Sequence, residues 1–239
     1  MDKEKKIKIF LALTYLLIIC IFLWFFFNNY SLSEITSYEF IKNNREKIME
    51  FKKINLFLVS VIFFVSTIAW VMLLGFGTPI CLLAGFIFGK WFGTIIVSLS
   101  LSIGATLLYA FANFFFKEII AQKFSNKFIF LYEKFKKKEF IYFLIYRFIG
   151  GIPFFISNII PTLFNIKMSN FFLGSVIGLT PQIFIWVSLG SGLDKVIKKN
   201  IEAPSLYELF SSSEIYIPII GFIVLLIIGM VIKNLFYKN

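Results

Sequence analysis

Few residues in this chain could do chemistry, and those that stand out are cations and amides. Arg147 lies in an otherwise uncharged, apolar stretch, eight residues after Glu139. An Arg placed inside a bilayer costs roughly 2.5–3.5 kcal/mol on insertion scales, so it must be paired or face a polar cavity. Its planar fork can grip a phosphate through two parallel hydrogen bonds. The competing reading is an interfacial Arg that snorkels toward water. Asn158 follows in the same stretch. It can donate and accept, either to a ligand or to backbone freed by Pro153 and Pro161. Lys90 is the one charge within residues 54–116. It is a candidate second phosphate contact, or a loop or interface Lys. Together these three make a candidate site for a phosphate headgroup.

Other chemistry lacks its residues. Residues 51–117 and 140–193 contain no Asp, Glu or His, and His is absent from the whole chain. A proton-coupled carrier normally keeps a titratable group in its pathway. There is no nucleophile–base pair, metal-ligand set or phosphate-cradling loop, so a hydrolase or transferase is not expected, nor a metal or cofactor. Cys20 and Cys81 both lie in apolar runs and read as packing residues. The net charge of +11 comes from Lys placed beside hydrophobic segments. That placement orients helices and attracts anionic lipid, and nucleic acid is not an expected partner.

The elements that must position these residues are membrane helices. The composition is 59% hydrophobic, and residues 9–27, 54–89, 91–116, 148–166, 168–193 and 215–232 are uncharged. About 20 apolar residues cross a bilayer core, so the chain reads as an all-α, polytopic integral membrane protein. The sequence divides into an N-terminal anchor helix and polar loop (1–53), a membrane core (54–193), and a loop with a C-terminal transmembrane helix (194–239).

Within the core, breakers decide the architecture. Gly75, Gly77, Pro79, Gly85, Gly89 and Gly93 interrupt the first long apolar run. They imply a crossing near 55–74, a broken or re-entrant element near 77–92, and a crossing near 94–116. Pro153 and Pro161 likewise leave no room for a long unbroken helix. A hairpin that dips to mid-membrane needs about 10 residues per arm at ~1.5 Å each, and 141–152 with 154–166 fit that. Residues 168–189 then cross, carrying Pro181 and a Gly174-x-x-x-Gly178 face for close packing. The core therefore reads twice as a broken hairpin followed by a Gly-containing helix, the plan of inverted-repeat transporters. The expected hairpin tips are Pro79–Gly85 and Ile152–Asn158.

Between the halves, residues 117–139 carry seven Lys. Ile120, Phe124, Phe128, Leu131 and Phe135 recur every three or four positions, which predicts an amphipathic helix on an anionic leaflet. Lys134, Lys136, Lys137 and Lys138 would be its membrane-surface contacts.

The pattern Pro79-(x)5-Gly85-x-x-Phe88-Gly89-x-x-x-Gly93-(x)10-Gly104-Ala105 resembles the first half of the VTT domain of the DedA superfamily, also called the SNARE-associated Golgi protein family. Arg147-(x)5-Pro153-(x)4-Asn158, followed by Gly178-x-x-Pro181, is similar to its second half. The resemblance covers about residues 55–193 and is closer to the Tvp/TMEM-type branch. Two positions depart from it. Many relatives carry an Arg where this chain has Asn113, and a Pro where it has Gly150. The resemblance implies movement of phospholipid or polyprenyl-phosphate lipids between leaflets, in the manner of a scramblase or flippase, and residence in a bacterial inner membrane. The alternatives are a non-transporting protein that organises the membrane, or a small-solute or ion transporter on the same scaffold. The sequence leaves oligomeric state open.

Overall fold

The computed structural model describes residues 55–124, 135–199 and 211–237 without interruption, with scattered positions between 10 and 53. Residues 1–54 and 55–239 form separate units. In the first, every described position from 10 to 28 is helical, and Phe10, Leu13, Leu17 and Trp24 are exposed.

In the second unit every regular element described is a helix: α1 (Leu56–Met72), α2 (Gly77–Phe88), α3 (Lys90–Phe124), α4 (Glu139–Ile149), α5 (Phe154–Ile159) with a 3-10 segment (Ile160–Phe164), α6 (Met168–Lys199) and α7 (Ser213–Tyr237). Asn55 starts α1, its side-chain oxygen accepting from the Leu58 N–H at 2.9 Å. Such a cap satisfies one of the donors that a helix start leaves unpaired. The chain reverses after α1 with Leu74 at φ +62°. The Trp70 indole N–H donates to the Phe76 carbonyl at 2.9 Å and ties that turn.

The first turn is therefore at residues 73–76, and the expected tip at Pro79–Gly85 is not there. Pro79 sits in the first turn of α2, where the missing N–H has no helical partner to lose. Gly85 lies inside α2 and serves packing. A Cβ there would run into the backbone carbonyl of Val187 on α6. Gly190 of α6 in turn receives the Leu82 carbonyl of α2. Gly93 lies against Ala84 and Val187. Gly89, at φ +79°, makes the second turn.

The second hairpin bends at residues 150–153, between α4 and α5. Gly150 and Gly151 have φ of +65° and +79°, a region closed to proline. Position 150 therefore suits glycine and excludes proline. Pro153 caps α5, and Pro161 lies in the first turn of the 3-10 segment. Asn165, left-handed at φ +44°, ends that segment. Pro181, by contrast, lies inside α6 without ending it.

The two hairpins point toward each other. The first has its base at Asn55 and Lys90, at the start of α3. The second has its base at Glu139 and Asn165. Asn165 accepts a hydrogen bond at 3.3 Å from Asn113, near the far end of the apolar stretch Lys90–Phe115 of α3. Lys90 and Asn113 are about 35 Å apart along α3 at ~1.5 Å per residue.

α3 and α6 form the centre, joined by a 2.7 Å hydrogen bond between the Ser98 and Thr180 hydroxyls. α1 packs on α3 where Gly104 meets Val71. α4 packs on α6, where Gly174 meets Phe143 and Gly178 meets Arg147 and Leu144. Tyr109, Phe143 and Phe171 stack in the core, with centroids 4.3 and 4.8 Å apart.

The region between the halves differs from expectation. Residues 117–124 continue α3 as one 35-residue helix. Residues 125–134, which include Phe128 and Lys134, lie outside the described residues. The outer surface carries Phe57, Val65, Trp91, Ile95, Ile177 and Ile220, all exposed. Lys90–Phe115 and Met168–Ile197 are long and apolar enough to cross a bilayer. An apolar exterior of this kind belongs in lipid, as for an integral membrane protein.

Candidate functional site

The two hairpin tips meet at one cavity. Its volume is about 280 Å³, and Phe76, Gly77 and Thr78 line it from the first tip, Gly150 to Pro153 from the second. Leu101 of α3, and Gln182 and Trp186 of α6, close its sides. Leu101 lies about 17 Å along α3 from Lys90 at ~1.5 Å per residue, so the cavity sits near the middle of the apolar stretch Lys90–Phe115.

Arg147 projects from the last turn of α4 into this wall and is only 2% exposed. Its position depends on Gly178. A Cβ at 178 would stand 2.6 Å from the Arg147 Cβ and 2.9 Å from the Leu144 carbonyl. The guanidinium Nε donates to the Ser175 hydroxyl and Nη1 to the Ser157 hydroxyl, both at 3.0 Å. Its carbon lies 5.0 Å from the Phe143 ring centroid and 4.8 Å from that of Phe171. Aromatic faces stabilise a desolvated cation by about 2 kcal/mol. Nη2 has no hydrogen-bond partner among the described residues. All of these partners are neutral, so a buried cation is held here with no carboxylate partner among the described residues.

The tip itself is fixed by Gln182. Its Nε2 donates to the Phe148 carbonyl at 2.9 Å, one of the acceptors that the end of α4 leaves unpaired. The Tyr146 hydroxyl donates to the Ser157 carbonyl at 3.2 Å and joins the two arms.

The three candidates from sequence have different fates. Arg147 lines the cavity. Asn158 is fully buried beside Ser157 and is not one of the residues that line the cavity. Lys90 is exposed at the first residue of α3, with Nζ 5.8 Å from the Trp91 ring, and does not join Arg147. Sequence reasoning missed Ser157, Ser175 and Gln182. Each is a polar residue in an apolar run, the signal that had drawn attention to Asn158.

The Lys cluster is divided. Lys137 and Lys138 are exposed. Lys136 turns inward, donating at 2.6 Å both to Glu139 Oε2 and to the Asn165 carbonyl. Glu139 also accepts from the Lys167 N–H at 2.7 Å and from Asn170 at 2.9 Å. Burial pushes the Glu139 carboxyl up, but the hydrogen bonds from Lys136, Lys167 and Asn170 outweigh it and hold the group below the usual carboxylate range. This cluster clasps the base of the second hairpin, outside the apolar segments.

Residues 75–192 match the family profile described as the VTT domain. The Transmembrane protein 41 homolog of Caenorhabditis elegans is 23% identical over 141 residues, covering 56% of this chain and 57% of that protein. The match thus spans little more than half the length of that relative, which comes from a nematode. No solved structure matches.

Proposed function

From a chain that belongs to the VTT-domain superfamily, we propose a protein that moves phosphate-bearing lipids between leaflets without proton coupling through intramembrane carboxylates. Arg147 carries this reading: a buried cation with only neutral partners and an unpaired Nη2, at a cavity between two hairpin tips. A phosphate, like a carboxylate, matches the geometry of a guanidinium fork. The volume, about 280 Å³, lies below the ~300–1,000 Å³ of sites that enclose drug-sized ligands. It suits a headgroup and leaves the acyl or prenyl tails in the bilayer.

In this reading the hairpins are re-entrant. α2 is about 18 Å long at ~1.5 Å per residue, which carries its tip to the middle of a ~30 Å hydrocarbon core. The irregular backbone at Phe76 and at 150–153 is tolerated at that depth because it lines a cavity. Lys137 and Lys138 then contact anionic headgroups at the second hairpin's base.

The test is exchange of a fluorescent phospholipid between leaflets of liposomes holding the purified protein. Wild type should accelerate exchange and Arg147→Ala should not. Full activity in Arg147→Ala sinks the site, and no acceleration by wild type sinks the function.

A further inference from the structure

The cavity at the hairpin tips collects positive poles from both hairpins. α2 begins at it: Phe76, Gly77 and Thr78, the cap and first two residues of that helix, belong to the lining. A helix start leaves its first N–H groups without partners inside the helix, and they carry the positive end of its dipole. A side chain often caps such groups, but Phe76 makes no side-chain cap. α2 is twelve residues long and runs from the cavity toward the base of the first hairpin. Its dipole therefore turns the positive end to the tips.

Arg147 faces this helix end from the other hairpin. It lines the same cavity, its side chain is buried, and Nη2 has no partner among the described residues. Ser157, which accepts from Nη1, is in the lining too, and this brings the guanidinium end of the side chain to the wall. The negative end of α4 also reaches the second tip, but Gln182 donates to its Phe148 carbonyl. No Asp or Glu is in the lining. Glu139, the acid nearest Arg147 in sequence, is about 12 Å away along α4 at ~1.5 Å per residue. It is already engaged by Lys136, Lys167 and Asn170.

A lining of one sign discriminates among headgroups. A phosphate between the start of α2 and Arg147 meets donors on both sides. A choline or ethanolamine ammonium follows its phosphate by only a few ångströms. In a cavity of about 280 Å³ it is held near Arg147, with no carboxylate to offset it. Like charges at that separation in a partly dry site repel strongly enough to cost about a decade of occupancy or more. A bare phosphate or a polyol headgroup avoids that repulsion. We propose that the site selects headgroups whose only charge is negative, a phosphate monoester or a diester of an uncharged polyol, over zwitterionic ones. This selection rests on the headgroup reading at Arg147 and adds the N-terminus of α2 as the second half of the phosphate site.

The test is leaflet exchange by the full chain in liposomes at neutral pH, against protein-free liposomes, with tail-labelled phosphatidate, phosphatidylglycerol and phosphatidylcholine. Both anionic lipids should exchange at least roughly tenfold faster than phosphatidylcholine. Which of the two runs faster separates a terminal phosphate from a diester. Either anionic lipid running no faster than phosphatidylcholine overturns the selection. Thr78→Asp puts a carboxylate at the positive end of α2, where it stabilises the helix. The anionic preference should fall severalfold against Thr78→Asn, with no drop in melting temperature. Gly77→Pro removes one N–H, and the extended Phe76 before it, at ψ 142°, accepts a following proline. Its reference is Gly77→Ala, whose Cβ would meet Leu101 and Phe154 at ordinary contact distances of 3.7 and 3.8 Å. The preference should be lower in the proline variant. A preference that neither Thr78→Asp nor Gly77→Pro lowers overturns the share of α2. Exchange that Arg147→Ala abolishes, yet equal for phosphatidylglycerol and phosphatidylcholine, rejects the selection and keeps the headgroup reading. A wild type that accelerates none of the three lipids rejects the headgroup reading itself.

Discussion

Arg147 could be found from sequence because a full charge in an apolar run is expensive and therefore demands a reason. Its setting could not. Ser157, Ser175 and Gln182 are neutral and inexpensive to bury, and only the folded chain brings positions 28 residues apart to 3.0 Å. The setting sharpens the expected outcome of substitution. Arg147→Lys keeps the charge but loses the fork and the contact to Ser175, so leaflet exchange should be impaired. Arg147→Ala should lose roughly tenfold or more, the effect of removing ~1.4 kcal/mol or more of charge-assisted binding. In the sequence Glu139 is only the charge eight residues before Arg147, and its buried clasp is not legible there. Its folded pKa is depressed, so its stabilisation is fully present above the unfolded value near 4.5 and is lost as pH falls through the lower folded value. Thermal melting in detergent should be flat in this respect from pH 8 to 6 and fall below about pH 4.5. Glu139→Gln should start lower and lose that acid limb. A wild-type curve matching Glu139→Gln at every pH would contradict the clasp.

At the scale of elements, prolines and glycines announced that helices break but not always where. Pro153 and the second bend agree to within a few residues, since Gly150 and Gly151 supply a turn just before it. Pro79 misled, because a proline in a first helical turn looks the same in sequence as one at a bend. The reversing residue there is Leu74, at φ +62°, and nothing in a leucine signals that conformation. The Gly174-x-x-x-Gly178 stripe was legible as a packing face, and its contacts give it a magnitude. Gly178→Leu must push α4 away from α6. Overpacking of this kind costs about 1–3 kcal/mol, so a clear fall in melting temperature is expected, with exchange lost as Arg147 moves. The Lys cluster shows the limit of periodicity. Lys136, Lys137 and Lys138 look alike, yet the first is spent on Glu139 and Asn165. Lys137→Gln with Lys138→Gln should weaken binding to anionic vesicles with little effect on melting. Lys136→Gln should lower melting instead. Equal effects from all three would show that the clasp is not holding Lys136.

Residues 55–239 hold two opposed hairpins braced by α3 and α6, and the charges of that unit decide what can drive the proposed transport. Among the described residues the buried acids are Glu139 and Asp194, and neither lines the cavity. Glu139 stays ionised through neutral pH because its pKa lies below the usual range. The cavity is lined by Arg147, by the buried, uncharged thiol of Cys81, and by aromatic, aliphatic and neutral polar residues. An Arg does not release its proton near pH 7, so no group in the lining changes charge between about pH 6 and 8. Without a titrating group the cavity cannot bind a proton in one orientation and release it in the other. In the proposed function the lipid's own electrochemical gradient then drives movement, which should run in both directions. Exchange should therefore vary little from about pH 6 to 8, and a pH gradient across the liposome should not bias it. The measurement is the initial rate of leaflet exchange with the gradient set inward, outward or absent. Equal rates fit a passive path past Arg147. A rate that follows the gradient would refute it, and Glu139→Gln against Asp194→Asn would then show which buried acid carries the proton.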